Sequence, residues 1–403
     1  MSTKMTKEHL AYLQALPLQL KIKKTELRIK EWYEHWEGDV FVSFSGGKDS
    51  TVLLDIARSL YPDIEAVFSD TGLEYPEIKE YVKTYPNVTI VRPKHSFKQI
   101  LTKYGYPIIS KEVAGVVEGA RRWIAEIQNG EGTEYQNTIL TSCLDEKSLQ
   151  SPVTNMGGGS SDPDLDELAM QRPTLGGADR QYRRLSGLGE YKKNPVPLRA
   201  GALLGLLDRN NQVSTYIPEG QKSMYSQEKW KFLLGSDFKI SDKCCYHMKK
   251  SPLEKYSKKT GKKPIVATMT EESRMRKSAW LKTGCNAYTG KQMSKPMSFW
   301  TEQDVLQYID VMGLEVAPVY GNLLYSGGKY YFDGCKRTGC IFCGFGCHLE
   351  HEPNRFQKLK QTHPKLYDYC MYGGEHNEDG IWQPSADGLG MKHVMDFIGV
   401  NTE

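Results

Sequence analysis

Residues Ser45 to Ser50, which read SGGKDS, place two hydroxyl groups, two glycines, a lysine and an aspartate within six positions. Backbone N–H groups of such a glycine turn, with the dipole of a following helix behind them, favour a bound phosphate or pyrophosphate. Lys48 adds a cation, and Asp49 could orient Lys48 or hold a magnesium ion. The predicted anion-binding residues are Ser45, Gly46, Gly47, Lys48, Asp49 and Ser50.

The elements around this loop suit an anion site. The apolar run from Val40 to Phe44 predicts a buried strand, and Lys48–Leu60 predicts a helix with its apolar residues on one face. The loop is not a Walker-type P-loop, since that pattern requires glycine where Val42 stands. The hexapeptide resembles the PP-loop of ATP pyrophosphatases, which cut ATP between its α and β phosphates. The alternative is an ordinary glycine-rich turn between a strand and a helix.

Strands and helices alternate after the loop. Ile64–Ser69 and Asn87–Val91 are predicted strands, and Pro76 is suited to the first turn of a helix between them. This alternation predicts an α/β fold with a doubly wound, mostly parallel sheet, whose ligand lies at the carboxyl ends of the strands. Asp70, Thr71 and Gly72 follow the second strand, so they are expected to face the same nucleotide as the SGGKDS loop.

Length and composition indicate a globular protein of two or three domains. The chain has 403 residues, of which 39% are hydrophobic and 25% charged, and its net charge of +4 selects no partner by itself. No apolar run approaches a membrane span, and the N-terminal residues lack the apolar core of a signal peptide, so we expect a cytoplasmic protein with no membrane partner.

Composition shifts along the chain suggest five segments. The expected divisions are a helical segment (1–37), a first part of the α/β core (38–127), a loop-rich basic insertion (128–225), a second part of the core (226–332), and a Cys-rich segment with a helical tail (333–403). Within the insertion, one helix is expected around Leu198 to Leu207.

Nine cysteines in a reducing compartment favour metal, cluster or thiol chemistry over disulfides. One local arrangement could hold zinc or a cluster by itself, since its spacing is tolerable for a structural knuckle. It consists of Cys335, Cys340, Cys343 and Cys347.

Four segments in order resemble the phosphoadenosine phosphosulfate (PAPS) reductase family, within the adenine nucleotide α-hydrolase-like PP-loop superfamily. The resemblance covers roughly 38–125 and 226–350. SGGKDS matches the family's pyrophosphate loop, and Asp70-Thr71-Gly72 matches its segment near ribose and adenine. Ser273 and Arg276 match an ES-x-x-R segment expected to reach phosphate or sulfate, and 296–309 match a helix start of the family. There Thr301 is expected to cap the helix Glu302 to Val311, and Asp304 at the third position can pair back to the cap. The catalytic residues implied are Lys48, Asp49, Ser273 and Arg276, and the ligand is ATP, adenylyl sulfate or PAPS, with Mg²⁺.

The Cys244-Cys245 pair and the later Cys340-x-x-Cys343 look like the adenylyl-sulfate reductase branch of this family. The resemblance implies that Cys244, Cys245, Cys340 and Cys343 bind a 4Fe-4S cluster, with zinc as the alternative metal.

Two departures direct the interpretation away from reduction. The family carries a nucleophilic cysteine on its C-terminal tail, whereas residues from Met371 to Glu403 contain none, and Met269 stands where the family shows an arginine. We therefore expect an enzyme related to thiolating members, which use ATP to adenylylate a substrate and then exchange AMP for sulfur. Cysteines that could carry a persulfide are Cys335, Cys347, Cys285 and Cys370.

Partners are inferred more indirectly. The segment from Lys249 to Lys263 contains seven lysines, and Tyr246 and Tyr256 lie in or near it. Such a mixture of basic and aromatic residues suits binding of nucleic acid, which would then be the sulfur acceptor. A lysine-rich surface exposed to solvent explains the pattern equally well. A sulfur donor such as a cysteine desulfurase and a homo-oligomer are also expected. The alternative functions are an adenylyl-sulfate or PAPS reductase that forms sulfite, and a nucleotide- and nucleic-acid-binding module without turnover.

Overall fold

The computed structural model describes residues 5–132, 134–144, 196–214, 217–218 and 220–403. Most of the predicted insertion (128–225) lies outside these residues, so its expected basic, loop-rich character stays a prediction. Among the described residues, no helix is both long and apolar enough to cross a bilayer.

Twelve strands are formed by the described residues, most of them short. They are β1 (Val40–Ser43), β2 (Ala66–Ser69), β3 (Val88–Val91), β4 (Ile108–Ile109), β5 (Lys263–Ile265), β6 (Asn286–Ala287), β7 (Met293–Ser294), β8 (Leu323–Ser326), β9 (Lys329–Phe332), β10 (Gly344–Phe345), β11 (Gly374–His376) and β12 (Trp382–Pro384).

The α-helices of the described residues number fourteen. They are α1 (Lys7–Gln14), α2 (Leu18–His35), α3 (Lys48–Leu60), α4 (Pro76–Lys83), α5 (Phe97–Tyr104), α6 (Lys111–Glu126), α7 (Glu134–Cys143), α8 (Leu198–Leu203), α9 (Ser251–Thr260), α10 (Arg274–Thr283), α11 (Glu302–Met312), α12 (Arg355–Thr362), α13 (Pro364–Met371) and α14 (Met391–Phe397).

Shorter helical turns of other types complete the secondary structure. The π-helical turns are Ile127–Glu131 and Tyr246–Lys250, and the 3-10 turns are Glu228–Gly235, Thr270–Glu272, Pro318–Tyr320 and Cys347–Leu349.

The chain divides into two compact units. Unit 1 contains Met1–Ser96 and Tyr246–Ile341, and unit 2 contains Phe97–Cys245 and Phe342–Glu403. The chain therefore passes between the units after residues 96, 245 and 341. The five segments suggested by composition stay a prediction.

Unit 1 is built on a six-stranded sheet in the order β3-β2-β1-β5-β7-β6. All neighbouring strands are parallel except β6 and β7. Val40 and Val42 of β1 face a core that includes apolar residues of α2 and α3. Phe41 points the opposite way, and its ring meets Tyr256 of α9 edge-on at 5.3 Å. Helices thus cover both faces of the sheet, which confirms the predicted α/β fold with a doubly wound, mostly parallel sheet.

The start of α11 follows the sequence expectation. Thr301 caps the helix by accepting a hydrogen bond from the Asp304 backbone N–H, and the Asp304 carboxylate accepts one from the Thr301 backbone N–H at 2.7 Å. The same carboxylate also receives the buried Lys21 ammonium of α2 at 2.6 Å. This capping box therefore also ties the N-terminal helix to the sheet domain.

The described residues of unit 2 form helices and two small sheets. Ile108 and Ile109 pair in parallel with Gly344 and Phe345, and β11 pairs antiparallel with β12. The Arg121 side chain of α6 donates to the carbonyl groups of Leu233, Leu234, Ser236 and Phe238, and so holds that connecting segment in place.

Some element ends differ from the sequence expectation for local reasons. The strand expected from Ile64 begins at Ala66, because the Ile64 N–H is used in a turn to the Tyr61 carbonyl. The helix expected over Leu198–Leu207 ends at Leu203, shortly before Gly205, whose φ of +75° an α-helix does not accommodate.

Candidate functional site

The SGGKDS loop joins β1 to α3 by a turn that requires glycine at Gly46. Gly46 has φ of +70°, and a Cβ there would lie 2.8 Å from the γ-methyl groups of Ile78 and Val82 in α4. Ser45 and Ser50 fix the turn, since the Ser45 backbone N–H donates to the Ser50 hydroxyl at 3.1 Å. The turn therefore carries the backbone close to its neighbours before the helix begins.

The first amide of α3 is engaged by a tyrosine far away in the sequence. The Lys48 backbone N–H donates to the Tyr320 hydroxyl at 2.9 Å, and that hydroxyl lies 2.8 Å from Oγ1 of Thr338. Gly47 precedes this amide, and a Cβ there would lie within about 3.3 Å of Tyr320 and Thr338. Tyr320 and Thr338 thus face the helix N-terminus, where an anion is favoured.

Lys48 is a buried cation between two carboxylates. Only 4% of the residue is exposed, and Nζ lies 3.6 Å from Oδ1 of Asp49 and 3.2 Å from Oε1 of Glu302. Burial alone would lower the pKa of Lys48, but the negative charges of Asp49 and Glu302 oppose it and the net direction is upward. Lys48 is therefore held charged at the start of α3.

The Asp49 carboxylate has an unsatisfied oxygen. Its Oδ1 is buried and has no hydrogen-bond partner, and burial raises the pKa of this carboxyl even though Lys48 opposes the shift. A buried carboxylate oxygen that accepts no hydrogen bond, beside an anion site, is the kind of ligand that Mg²⁺ uses. The donor set therefore fits a magnesium ion carried in with a nucleotide.

Two arginines extend the positive charge around Asp49. Burial lowers the pKa of Arg276, the Arg337 charge lowers it further, and the Asp49 charge raises it. Arg276 also forms an ion pair with Glu272. The predicted pair Ser273 and Arg276 is in contact, because the Ser273 hydroxyl caps α10 by accepting from the Arg276 backbone N–H at 3.3 Å. The Ser273 hydroxyl thus orients the backbone that carries Arg276.

The Asp70-Thr71-Gly72 segment forms its own network after β2. Asp70 pairs with Lys79 at 3.0 Å and Arg92 at 3.2 Å. Burial would raise the pKa of Asp70, but the hydrogen bond and charge of Lys79 lead the opposing contributions and the net direction is downward. The Thr71 hydroxyl donates to Glu74 at 2.6 Å. This segment therefore offers an ionised carboxylate in a fixed orientation.

The four cysteines predicted as cluster ligands are divided between the units. Cys340 belongs to unit 1, and Cys244, Cys245 and Cys343 belong to unit 2. None of the nine cysteines forms a disulfide. Cys244 is buried, whereas Cys245, Cys340 and Cys343 are half-buried. Their thiol chemistry fits an iron-sulfur cluster or zinc, and the ligand assignment stays a prediction.

The other candidate sulfur carriers differ in access. Burial raises the pKa of Cys285, raises that of Cys347 to about 12, and raises that of Cys370 strongly. Cys335 is half-buried, and its Sγ donates to the Arg337 carbonyl at 3.0 Å. Among these four thiols, Cys335 is the most accessible.

Sequence reasoning missed Glu302, Tyr320, Arg337 and Thr338, although all four belong to the loop's surroundings. Glu302 and Tyr320 carry no local signal, because a helix start and a 3-10 turn explain them equally well. Arg337 and Thr338 lie among cysteines that were interpreted only as metal ligands. The basic pair at 336 and 337 was the one local sign of an anion contact in that segment.

Parts of this chain are similar to known proteins. Residues 39–111 match the phosphoadenosine phosphosulfate reductase domain. An uncharacterized protein of Methanocaldococcus jannaschii is 36% identical over 92 residues, which are 21% of this chain and 22% of that protein. Adenosine 5'-phosphosulfate reductase of Anoxybacillus flavithermus is 29% identical over 102 residues, which are 25% of this chain and 40% of that enzyme. These matches thus span less than half the length of either relative.

A solved structure was also found. Phosphoadenylyl-sulfate reductase from Candida auris, in a phosphate complex, aligns with 79% of this chain and 92% of its own chain, at 11% identity and a TM-score of 0.30. A similarity at this level carries no argument about the site.

Proposed function

We propose that this chain, whose residues 39–111 match the phosphoadenosine phosphosulfate reductase domain, is an ATP-dependent sulfur transferase. It binds an adenine nucleotide by its phosphates at the SGGKDS loop and releases pyrophosphate. The observation that carries this proposal is the buried Lys48 at the N-terminus of α3, in an ion pair with an Asp49 oxygen that accepts no hydrogen bond.

The charges around the loop suit a polyphosphate. Lys48 provides a buried ammonium. The charge of Arg337 acts on both Arg276 and Asp49, and the charge of Asp49 acts on Arg276, so two further cations are near enough to influence this site. The Lys48 N–H already has a hydroxyl partner in Tyr320, which a phosphate oxygen can replace. Lys48 and Arg276 stabilise charge that develops on leaving pyrophosphate, because both are fixed before the reaction begins.

The reaction proposed is adenylylation followed by substitution. An acceptor oxygen attacks the α-phosphorus of ATP, the bond from that phosphorus to the α–β bridging oxygen breaks, and pyrophosphate leaves with the bond electrons. A hydrosulfide ion then attacks the activated carbon, and AMP departs with the electrons of the carbon–oxygen bond. If a cysteine persulfide attacks instead, a second cysteine thiolate must cleave the resulting S–S bond, which releases the thiolated product and leaves a disulfide on the protein. Magnesium supplies charge neutralisation of the phosphates when it is bound. Asp49 would hold it, while Lys48 keeps its proton.

The sulfur half of the function is inferred from the resemblance. We propose that Cys244, Cys245, Cys340 and Cys343 bind a 4Fe-4S cluster, with zinc as the alternative. A cysteine desulfurase is the proposed sulfur donor, and nucleic acid is the proposed acceptor. In the lysine-rich segment Lys249–Lys263, Tyr256 packs on Phe41 and donates to Glu65, so this tyrosine has a structural role rather than a base-stacking one.

The test is ATP turnover by the purified, anaerobically prepared protein. With Mg²⁺, ATP and candidate nucleic acids, we expect pyrophosphate release that depends on the acceptor. Lys48→Ala is expected to weaken ATP binding and reduce release about 100-fold, because it removes the buried cation. Lys94→Ala, at an exposed position, is the matched control. Equal pyrophosphate release by Lys48→Ala and wild type would exclude the proposed site.

The second candidate is an adenylyl-sulfate or PAPS reductase. It is favoured by the named reductase among the relatives and by the pairing of Ser273 with Arg276. Against it, Cys370 is fully buried, so it does not offer an accessible thiol in this conformation. Sulfite formation with thioredoxin as reductant would establish this activity, and absence of sulfite from both substrates would remove it.

A further inference from the structure

Three side chains of types that bind metals converge in unit 2, and none of them has a role assigned above. Asp237 lies in the segment held by Arg121, His376 ends β11, and His393 belongs to α14. One atom from each of these side chains lies within 4.8 Å of the others. We propose that Asp237, His376 and His393 bind a divalent transition-metal ion, with Zn²⁺ as the expected occupant.

The geometry places both histidines on one carboxylate through the same ring atom. Nε2 of His376 lies 2.8 Å from Oδ2 of Asp237, and Nε2 of His393 lies 2.9 Å from Oδ1 and 3.0 Å from Oδ2. Two ligands of a tetrahedral zinc at about 2.0 to 2.1 Å are roughly 3.3 Å apart. Each histidine nitrogen therefore needs to move away from the carboxylate oxygen by only a few tenths of an ångström to admit the ion.

The three ligands stand on a supported frame. The Trp382 backbone N–H donates to the Asp237 carbonyl at 2.7 Å, which joins the Asp237 segment to β12. The Trp382 ring packs on the His393 ring with centroids 4.4 Å apart and meets His376 edge-on at 5.2 Å. Arg121 fixes the other side of the segment through the Ser236 and Phe238 carbonyls. A site held on elements of this kind loses little freedom when the metal binds.

Trp382, whose ring contacts both histidines, is itself positioned by close packing. A Cβ at Gly374 would lie 2.2 Å from the Trp382 ring, and one at Gly390 would lie 2.8 Å from its Nε1. The indole Nε1–H donates to the Gly390 carbonyl at 3.0 Å. Glycine at both positions thus lets the indole lie flat against the strand and hold the His393 ring beside Asp237.

The chemistry of the set selects the class of ion. Two imidazoles and one carboxylate suit zinc and related first-row metals, whereas Mg²⁺ and Ca²⁺ prefer oxygen ligands. Binding requires each Nε2 to present its lone pair, so each neutral ring carries its proton on Nδ1 instead, with no change in ring charge. Three protein ligands leave a fourth position for water or a solvent-borne group.

Access to the site is open. The side chains of Asp237, His376 and His393 are 36%, 49% and 36% exposed. The alternative is a hydrogen-bond network at the surface, in which the Asp237 carboxylate accepts one hydrogen bond from each histidine. The experiment must distinguish this network from a metal site.

The experiment is equilibrium dialysis of the full chain against Zn²⁺, with bound metal measured by mass spectrometry. Because cysteines also bind zinc, the decisive quantity is the difference between wild type and variants. We expect His376→Ala and Asp237→Asn each to lose one equivalent of zinc and the zinc-dependent rise in Tm. His95→Ala, a histidine of unit 1 outside the cluster, is the control and should retain both.

His376 is half exposed, so its replacement is not expected to unfold the protein, and far-ultraviolet circular dichroism checks this for each variant. Zinc stoichiometry and Tm response unchanged from wild type in both His376→Ala and Asp237→Asn would overturn the proposal. Because Lys48→Ala leaves all three ligands in place, it should bind the same zinc as wild type. Failure of the nucleotide proposal would therefore leave this result unaffected.

Discussion

The backbone N–H of Lys48 donates to the hydroxyl of Tyr320 at 2.9 Å, although the two residues are 272 positions apart in the sequence. Tyr320 is 2% exposed, so the bond lies out of water. Tyr320→Phe would leave the amide without its partner, at a cost of about 1 to 3 kcal/mol in the free energy of unfolding. A phosphate oxygen can accept from the same amide. We therefore expect ATP to raise the Tm of Tyr320→Phe more than that of wild type, measured by scanning calorimetry.

The control is Tyr325→Phe, which alters an exposed tyrosine of β8 in the same unit. A smaller ATP-induced rise in Tyr320→Phe than in wild type would contradict a ligand at this amide.

Replacement of Asp49 is expected to raise the stability of the fold while weakening Mg²⁺-dependent ATP binding. Burial raises the pKa of Asp49 above the ordinary value of 3.8, so the ionised form is less favourable in the folded than in the unfolded protein. The free energy of unfolding that protonated Asp49 contributes is therefore fully present below pH 3.8, and it is lost as the pH rises through the pKa of the folded state. Asp49→Asn resembles that protonated form. It should raise the free energy of unfolding at pH 7, with a smaller gain at pH 4, as measured by urea titration.

The same variant should lose Mg²⁺-dependent ATP binding, because the amide lacks the negative charge and one of the two oxygens that the carboxylate offers to Mg²⁺. Asp63→Asn, which changes an exposed aspartate of unit 1, should affect neither quantity. An Asp49→Asn protein that is less stable than wild type at pH 7 would show that the Lys48 pairing outweighs the burial.

Arg337 is expected to contribute to anion binding. Its charge acts on both Arg276 and Asp49, which places it electrostatically with the loop. Arg337→Ala should weaken ATP binding about tenfold, which corresponds to about 1.4 kcal/mol, as measured by titration calorimetry. Lys336→Ala removes an equal charge from the adjacent exposed residue and is the matched control. Equal losses in both variants would indicate a general charge effect, which added salt should screen.

A comparison of Gly46 and Gly72 can distinguish two effects of a glycine-to-alanine substitution on the free energy of unfolding: the strain of a positive φ and the steric contact made by the new Cβ. Gly46 and Gly72 have φ of +70° and +76°, but only at Gly46 would a Cβ meet other atoms, at 2.8 Å. Gly72→Ala should cost about 1 to 2 kcal/mol, from the left-handed conformation alone. Gly46→Ala should cost more, because α4 must also shift. Chemical denaturation of both variants measures the difference, and equal losses would contradict the close packing of the turn.

Thiol reactivity should follow burial. Raised pKa values for Cys285, Cys347 and Cys370 mean that few of these thiols are ionised at pH 8, and their burial limits access as well. Iodoacetamide is therefore expected to label Cys335 before any of them, with mass spectrometry identifying the sites. In guanidinium all four should react alike. Faster labelling of Cys370 than of Cys335 in the native protein would revive a nucleophilic role for Cys370.

Local pattern predicted the part of the site that is contiguous in sequence. The strand, the glycine turn and the helix are specified by residues 40–60, because apolar periodicity and turn chemistry act over short distances. The capping of α11 by Thr301 was predicted on the same basis and is confirmed.

The remainder depends on tertiary contacts that no local rule encodes. Glu302 was visible as a residue of a helix start, but its approach to Lys48 at 3.2 Å follows only from how α11 packs. Tyr320 and Thr338 reach the loop from turns whose sequence resembles ordinary connections. The Asp237, His376 and His393 cluster escaped notice because its members come from three separate elements.

The position of β1 has a consequence for biosynthesis. This strand lies between β2, which follows it closely, and β5, which the ribosome delivers only after the whole of Phe97–Cys245 has been made. Until then one edge of the nascent sheet has no native neighbour, and such an edge invites pairing with other chains. The emerging polypeptide should therefore depend on chaperones during translation more than a protein whose central strands are adjacent in sequence.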